Sequence, residues 1–225
     1  MKKYLIIAAA GIGTRMEEEI PKQFLLLGDK PMLMQTISAF YLIDKEFEIF
    51  VVLPEEYLEF WNELIEQYKF GIEHTVVKGG ETRFQSVKNA LAKIEGDCII
   101  AVHDGVRPFI SRASLKRAYK AAIEYGCAVP VTDLNDSVRK VDEDASYAID
   151  RSKYRVVQTP QIFNGDVLKT SYEQEYVPEF TDDASVVEAA GYRIKLVNGD
   201  RENIKITTYF DLILAESIMK LLKVN

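Results

Sequence analysis

Leu5 to Ala10 is six residues without a polar side chain, the pattern of a parallel strand buried on both faces. Comparable apolar runs recur at Glu48 to Leu53, which stops at Pro54, at Cys98 to Val102 and at Ala128 to Val131, with a shorter one at His74 to Val77. Between them the spacing turns helical. Leu33, Ile37, Phe40 and Tyr41 share one face of Met32 to Ile43. Glu55 to Gln67 is amphipathic around Trp61, a core residue by its position, and a further helix runs from about Thr82 to Lys93. Leu115, Ala118, Tyr119, Ala122 and Ile123 make the stripe of another. Strand and helix alternate through residue 131, which predicts βαβ units on a parallel sheet with right-handed crossovers.

Thr132 to Asp150 breaks this rhythm. It is polar and alternating, with Ser137–Val141 and Tyr147–Ile149 on either side of Asp142-Glu143-Asp144, and it predicts a hairpin inserted into the fold at about 132–155. Such a hairpin has little core of its own; it is either a solvated decoration or an arm that grips a second subunit. Val156–Val157 and Gln161–Phe163 return to the body. Helices are expected at Val167–Glu173 and Asp183–Ala190, a strand at Arg193–Val197, and a last helix at Tyr209–Leu222 with the stripe Leu214, Ile218, Leu221 and Leu222. With no repeat, low-complexity segment or linker, residues 1–225 read as one α/β domain.

At 225 residues the chain can bury a core without disulfide or metal staples. A net charge of −7 argues against general nucleic-acid binding. Cys98 and Cys127 sit beside apolar runs and read as small buried residues of a reducing compartment. No signal-peptide pattern opens the chain and no apolar run approaches the length of a membrane span, so a soluble cytoplasmic protein is expected.

The first strand leads into Ala8-Ala9-Ala10-Gly11-Ile12-Gly13-Thr14-Arg15-Met16 and then Pro21-Lys22-Gln23. Small residues and glycines let backbone N–H groups converge on an anion, and Arg15 and Lys22 add cations; the natural guest is a polyphosphate. No Lys-Ser or Lys-Thr follows a GxxxxG, so this is not a P-loop. Met16 stands where a dinucleotide fingerprint has its third glycine, which disfavours an NAD-dependent oxidoreductase. Ligands of open α/β sheets sit beyond the carboxyl ends of the strands. The segments that follow the predicted strands, or precede the late helices, are Gly79-Gly80-Glu81-Thr82-Arg83, His103-Asp104-Gly105-Val106-Arg107-Pro108, Asp150-Arg151, Thr159-Pro160-Gln161, Thr181-Asp182-Asp183 and Asn203-Ile204-Lys205. Asp104 is a turn cap or a metal ligand; Arg107 either holds Asp104 or touches substrate. His74 and His103 read as structural, since two isolated histidines cannot make a zinc site. Asp182 and Asp183 read as an N-cap pair.

In their order and approximate spacing, AAAGIGTRM, PKQF, GGETR, HDGVRP, DRS, QTPQIF, TDDAS and NIKIT resemble the cytidylyltransferases that act on 2-C-methyl-D-erythritol 4-phosphate in the non-mevalonate isoprenoid pathway. The resemblance implies a doubly wound, Rossmann-like sheet of the nucleotide-diphospho-sugar transferase type with a hairpin arm, working as a homodimer with Mg²⁺ or another divalent cation. It implies that Arg15 and Lys22 stabilise the transition state at the α-phosphate of CTP, that Ala9, Ala10, Gly11 and Gly13 line the triphosphate, and that Gly80, Glu81 and Ser86 read the base and ribose. Asp104 would sit by the metal. Arg151 and Lys205 would hold the acceptor's phosphate, with Arg107, Ser137, Thr159 and Thr181 also on the acceptor side. Ser137 stands where the family usually has threonine, HDGVRP replaces the commoner HDAARP, and TTYFD replaces TTPED. Asp150-Arg151 favours methylerythritol phosphate over the ribitol 5-phosphate of a sister family. The attacking group is then a phosphate monoester, largely dianionic at pH 7, which needs no general base. A nucleotide-binding regulator on the same fold is the non-catalytic alternative.

Overall fold

The alternation within the first strand is what builds the molecule. In a computed structural model, which describes residues 1–11 and 20–224, β1 (Lys2–Ala8) sends Leu5 and Ile7 into a core on one face of the sheet and Tyr4 and Ile6 into a core on the other. Two short strands follow, β2 (Leu26–Leu27) and β3 (Lys30–Pro31), then α1 (Met32–Ile43), β4 (Phe47–Leu53), α2 (Leu58–Gln67), β5 (Thr75–Lys78), α3 (Arg83–Leu91), β6 (Cys98–Asp104), α4 (Arg112–Tyr125) and β7 (Cys127–Asp133). The hairpin strands are β8 (Arg139–Val141) and β9 (Ser146–Ala148). After them come β10 (Arg155–Val157), β11 (Gln161–Asn164), α5 (Gly165–Ser171), α6 (Asp183–Ala189), β12 (Lys195–Asn198) and α7 (Tyr209–Val224).

The main sheet runs β5-β4-β1-β6-β11-β7-β10, with β12 also paired to β7. The pairs β1–β4, β1–β6, β4–β5 and β7–β12 are parallel, as the alternating pattern predicts. β11 is antiparallel to both β6 and β7, and β10 is antiparallel to β7. The sheet is mostly parallel with an antiparallel strand wedged into its middle. Leu33, Ile37 and Phe40 of α1, Trp61 of α2 and Leu115 and Ala118 of α4 cover one face; Phe84 and Val87 of α3, Leu168 of α5 and Val186 of α6 cover the other. Full burial of a side chain such as Leu5 or Ile6 stabilises the fold by about 1.5–3 kcal/mol.

Trp61 is fully buried, its indole N–H donating to His74 Nε2 at 3.0 Å, so His74 is structural as read. Helix ends follow local chemistry. Ser111 caps α4 by accepting from Ser114 N–H, and Gly126 closes it at φ 85°, a left-handed conformation that glycine adopts without steric cost. Two stripes differ from expectation. Among the described side chains of α7, Ala215 and Ile218 are the buried ones, against Leu27, Met32, Val106 and Phe109, while Leu214, Leu221 and Leu222 are exposed. In α4, Ile123 is likewise exposed. The hairpin strands pair with each other and are exposed throughout; their base is the Arg155–Asp133 end of the β10–β7 ladder.

Candidate active site

The carboxyl ends of β1, β5 and β6 meet around one cleft, and small residues let them meet. Gly105 N–H donates to Ala8 O at 3.0 Å, and Gly79 N–H to Leu53 O at 2.8 Å. A Cβ on Gly105 would lie 2.8 Å from the Cβ of Ala9, and one on Gly79 would lie 2.5 Å from that of Ala10. Each alanine of the first loop therefore has a glycine facing it. Gln23, almost fully buried, donates from Nε2 to Ala9 O at 2.7 Å and to Gly11 O at 3.3 Å. It pins the carbonyls, and so the path, of the first loop. Phe24, packed edge-on against Phe60, anchors the short 3₁₀ turn Lys22–Phe24 and sets Lys22 at the cleft.

The second wall is the start of α3. Thr82 caps the helix through Gln85 N–H. Ser86, 2 % exposed, accepts from Gly80 N–H at 3.1 Å and donates to Thr82 O at 2.9 Å. Its hydroxyl shapes the Gly79-Gly80 turn and leaves Glu81 exposed at the rim.

Asp104, at the end of β6, is the electrostatic centre. Its Oδ2 accepts from Arg107 Nε at 3.0 Å and lies 3.1 Å from Lys205 Nζ, while its Oδ1 is 4.0 Å from Arg83 Nε. Burial alone would raise this carboxyl, but Lys205, Arg83 and Arg107 outweigh it and hold it well below the usual carboxylate range. Arg107 also donates to Asn203 O at 2.8 Å, so one buried guanidinium ties Asp104 to the segment that carries Lys205. Of the two readings of Arg107, the geometry supports the one in which it holds Asp104. Beneath them, Asp104 N–H donates to Thr159 Oγ1 at 3.0 Å, Thr159 lies 3.0 Å from His103 Nδ1, and His103 Nε2 lies 2.9 Å from Arg107 O. That chain needs a neutral imidazole with its proton on Nε2, and burial lowers the His103 pKa to about 4. The histidine is structural.

Ala9, Ala10, Gly11, Lys22, Gly80, Glu81, Ser86, Asp104 and Lys205 thus border one cleft, as do Arg83, Thr82, Gln23 and Val106. Gly13 and Arg15 lie outside the described residues. Thr159 lies under the cleft with its hydroxyl engaged at both sides, and Arg107 is buried beside it. Thr181 is exposed ahead of α6. Ser137 and Arg151 are exposed on the hairpin arm, where Arg151 donates to Asn135 O; neither borders the cleft of its own chain. The paired aspartates divide their work. Asp182 caps α6 in a capping box, whereas Asp183 is fully buried and bonded to Arg83 at 2.6 Å. Sequence reasoning gave no role to Gln23 or Arg83 and read Asp183 only as part of a cap. Gln23 and Arg83 stood inside the quoted motifs PKQF and GGETR, but the Asp183 pairing spans 100 positions and leaves no local signal.

The arrangement can receive a polyanion: glycine-rich backbone at one end, Lys22 and Lys205 at the sides, and a carboxylate kept ionised among them. Comparison with known proteins points the same way. Residues 4–221 match the family model of 2-C-methyl-D-erythritol 4-phosphate cytidylyltransferase. The protein of that name from Bacteroides fragilis is 49% identical over 219 residues, covering 97% of this chain and 100% of its own; that from Porphyromonas gingivalis is 42% identical, with 97% and 98% covered. The crystal structure of the Thermus thermophilus protein of that name superposes with a TM-score of 0.79 at 32% identity, covering 98% and 100% of the two chains. The Francisella tularensis structure gives 0.81 at 31%, covering 97% and 100%. A family model matched over nearly the whole length, together with relatives near half identity, makes this chain a member of the 2-C-methyl-D-erythritol 4-phosphate cytidylyltransferase family.

Proposed function

We propose that the chain transfers a cytidylyl group from CTP to 2-C-methyl-D-erythritol 4-phosphate, releasing pyrophosphate, and that it does so as a single nucleotidyltransferase domain with a hairpin arm. The observation that carries this is the convergence of the Ala9–Gly11 loop, Lys22, the Gly80–Ser86 turn, Asp104 and Lys205 on one cleft. The matched family disfavours the ribitol 5-phosphate alternative.

The acceptor's phosphate attacks the α-phosphorus in line, and the bond from that phosphorus to the pyrophosphate oxygen breaks. As a dianion the acceptor loses no proton to the protein. What the residues supply is charge and position. Lys22 and Arg15 stabilise charge growing on the α-phosphoryl oxygens. Lys205 holds the acceptor's phosphate against the repulsion of the triphosphate. Ala9, Ala10, Gly11 and Gly13 face the triphosphate with backbone alone; Gly80, Glu81 and Ser86 form the base and ribose side. A divalent cation, Mg²⁺ by preference, neutralises phosphate charge when bound. One ionised carboxylate, Asp104, fits an ion held mostly by phosphates and water, and among the described residues no group of three or more His, Cys, Asp or Glu could cage one.

Ser137 and Arg151 are proposed to hold the acceptor's phosphate from an arm supplied by a second copy, since they do not border their own chain's cleft. The exposed Val141, Tyr147, Tyr154, Val156 and Val157 on and beside the arm support such a homodimer. No helix among the described residues is long and apolar enough to cross a membrane. The deciding experiment measures pyrophosphate release from CTP and Mg²⁺ with methylerythritol 4-phosphate, ribitol 5-phosphate or no acceptor. Release with the first alone is expected. Release with ribitol 5-phosphate instead would move the chain to the sister reaction, and release with neither would overturn the reading.

A further inference from the structure

Asp183 is a buried carboxylate that the transfer itself does not use. Its Oδ1 accepts from Tyr172 O–H at 2.7 Å and its Oδ2 from Arg83 Nη2 at 2.6 Å, and it has no solvent exposure. Tyr172 is a firm support. Its ring stacks on Phe84 at 4.7 Å, and Phe84 stacks on Phe180 at 5.6 Å. Burial, reinforced by Asp183, holds its phenol well above the usual value, so it stays a donor. The other side of Arg83 faces Asp104 and the cleft.

The two oxygens of Asp104 are treated differently. Oδ2 takes both close cations, Arg107 and Lys205; among the described residues the ion-pair partner of Oδ1 is Arg83, at 4.0 Å. That is well beyond the 2.6 Å that Arg83 keeps to Asp183. A guanidinium between two carboxylates is attracted by both, and when one loses its charge the pull of the other is left unopposed. Asp183 therefore keeps Arg83 near enough to Asp104 to favour its ionised form, yet 4.0 Å from Oδ1 and so outside close ion-pair contact with it.

We propose that Asp183 is a positioning residue for the cation-binding carboxylate: it restrains Arg83 so that Oδ1 of Asp104 remains available to a divalent cation arriving with the nucleotide. This rests on the reading of Asp104 as the residue beside that cation. Without the negative charge at 183, Arg83 closes onto Asp104 and competes with the cation. Disturbing the groups arranged around a metal ligand typically weakens the metal about 10–100-fold, and here the disturbance is a cation moving in on the ligand.

The test compares wild type, Asp183→Asn, the double variant Asp183→Asn/Arg83→Met and Asp104→Asn. Half-saturating Mg²⁺ is read from pyrophosphate release and, without turnover, from calorimetric CTP binding in the absence of acceptor. Asp183→Asn, which keeps an acceptor for Tyr172, should raise half-saturating Mg²⁺ about tenfold or more in both readouts. The double variant, which removes the released cation, should return to within about threefold of wild type whatever its turnover. A lower melting temperature with unchanged Mg²⁺ requirement in Asp183→Asn would make the pair merely structural and overturn the proposal. Asp104→Asn separates the two readings. If it leaves the Mg²⁺ requirement unchanged, the role of Asp104 fails; if it raises the requirement while Asp183→Asn does not, only the role of Asp183 fails. Should Asp183→Asn not fold, the guanidinium ¹⁵N resonances of Arg83 decide in the wild type. Slowed Cζ–Nε rotation, with and without Mg²⁺ and CTP, is expected; free rotation overturns the restraint.

Discussion

Replacing Thr159 by valine removes one hydroxyl and almost no volume, yet that hydroxyl has two buried partners. It accepts from the main-chain N–H of Asp104 at 3.0 Å and donates to His103 Nδ1 at 3.0 Å, at a site 5 % exposed. His103 cannot answer by moving its proton to Nδ1, because its Nε2–H is committed to Arg107 O at 2.9 Å. Valine therefore strands one donor and one acceptor, each at about 1–3 kcal/mol. The expected loss is roughly 2–6 kcal/mol, or about 4–24 °C in melting temperature for a chain of this size. Serine restores both hydrogen bonds and lacks only a methyl group, at about 1 kcal/mol. Urea unfolding at neutral pH, read by circular dichroism, measures both. A valine variant within about 0.5 kcal/mol of wild type, or a serine variant as unstable as valine, would refute the buried chain from Asp104 to His103.

Three further outcomes are expected. Lys22→Ala and Arg15→Ala should lower turnover by about 10²-fold or more, whereas Arg151→Ala should mainly raise the acceptor's KM; equal small losses in all three, measured by steady-state pyrophosphate release, would contradict the roles assigned. Gly105→Ala places a methyl 2.8 Å from Ala9 Cβ and 3.3 Å from Leu33 Cδ1, so thermal unfolding should show a loss of about 1–3 kcal/mol, together with weaker CTP binding as the first loop shifts. His103 has a native pKa of about 4 against an ordinary 6.5, so below pH 6.5 the unfolded chain takes up a proton that the native chain refuses. Its contribution, on the order of 3 kcal/mol, is complete above pH 6.5 and lost as pH falls toward 4; an NMR ring titration placing His103 above pH 6 in the folded protein would remove the basis for this.

Much of this arrangement was legible in the order of the residues, because buried parallel strands must be nearly continuous in apolar side chains. Lys2–Ala8, Phe47–Leu53 and Cys98–Asp104 declared themselves for that reason, and the segments after β1, β5 and β6 border one cleft. Strand direction leaves no mark in composition, so the antiparallel insertion of Gln161–Asn164 was not readable. The C-terminal helix misled because Leu214, Leu221 and Leu222 are apolar yet exposed. Asp183 beside Asp182 has the composition of an ordinary cap pair; only the fold brings Arg83 to it. Arg107 could be narrowed to two roles from its neighbours; its bond to Asp104 Oδ2, with the one to Asn203 O across 96 positions, favours the role of holding Asp104.

The wedged strand also has a history written into it. On the ribosome β6 and β7 are complete by residue 133, but the strand that joins them, Gln161–Asn164, is made only after the whole arm. At about 5–20 residues per second, β6 waits roughly 3–12 s for its neighbour. Once β6 has emerged, and until Gln161–Asn164 arrives, the edge from Ile99 to Val102 lacks its strand partner and is open to pairing with another chain. The exposed polar arm is thus a delay between making the two halves of the sheet and joining them, and a chain stopped anywhere within it carries an open, adhesive edge in place of a finished core.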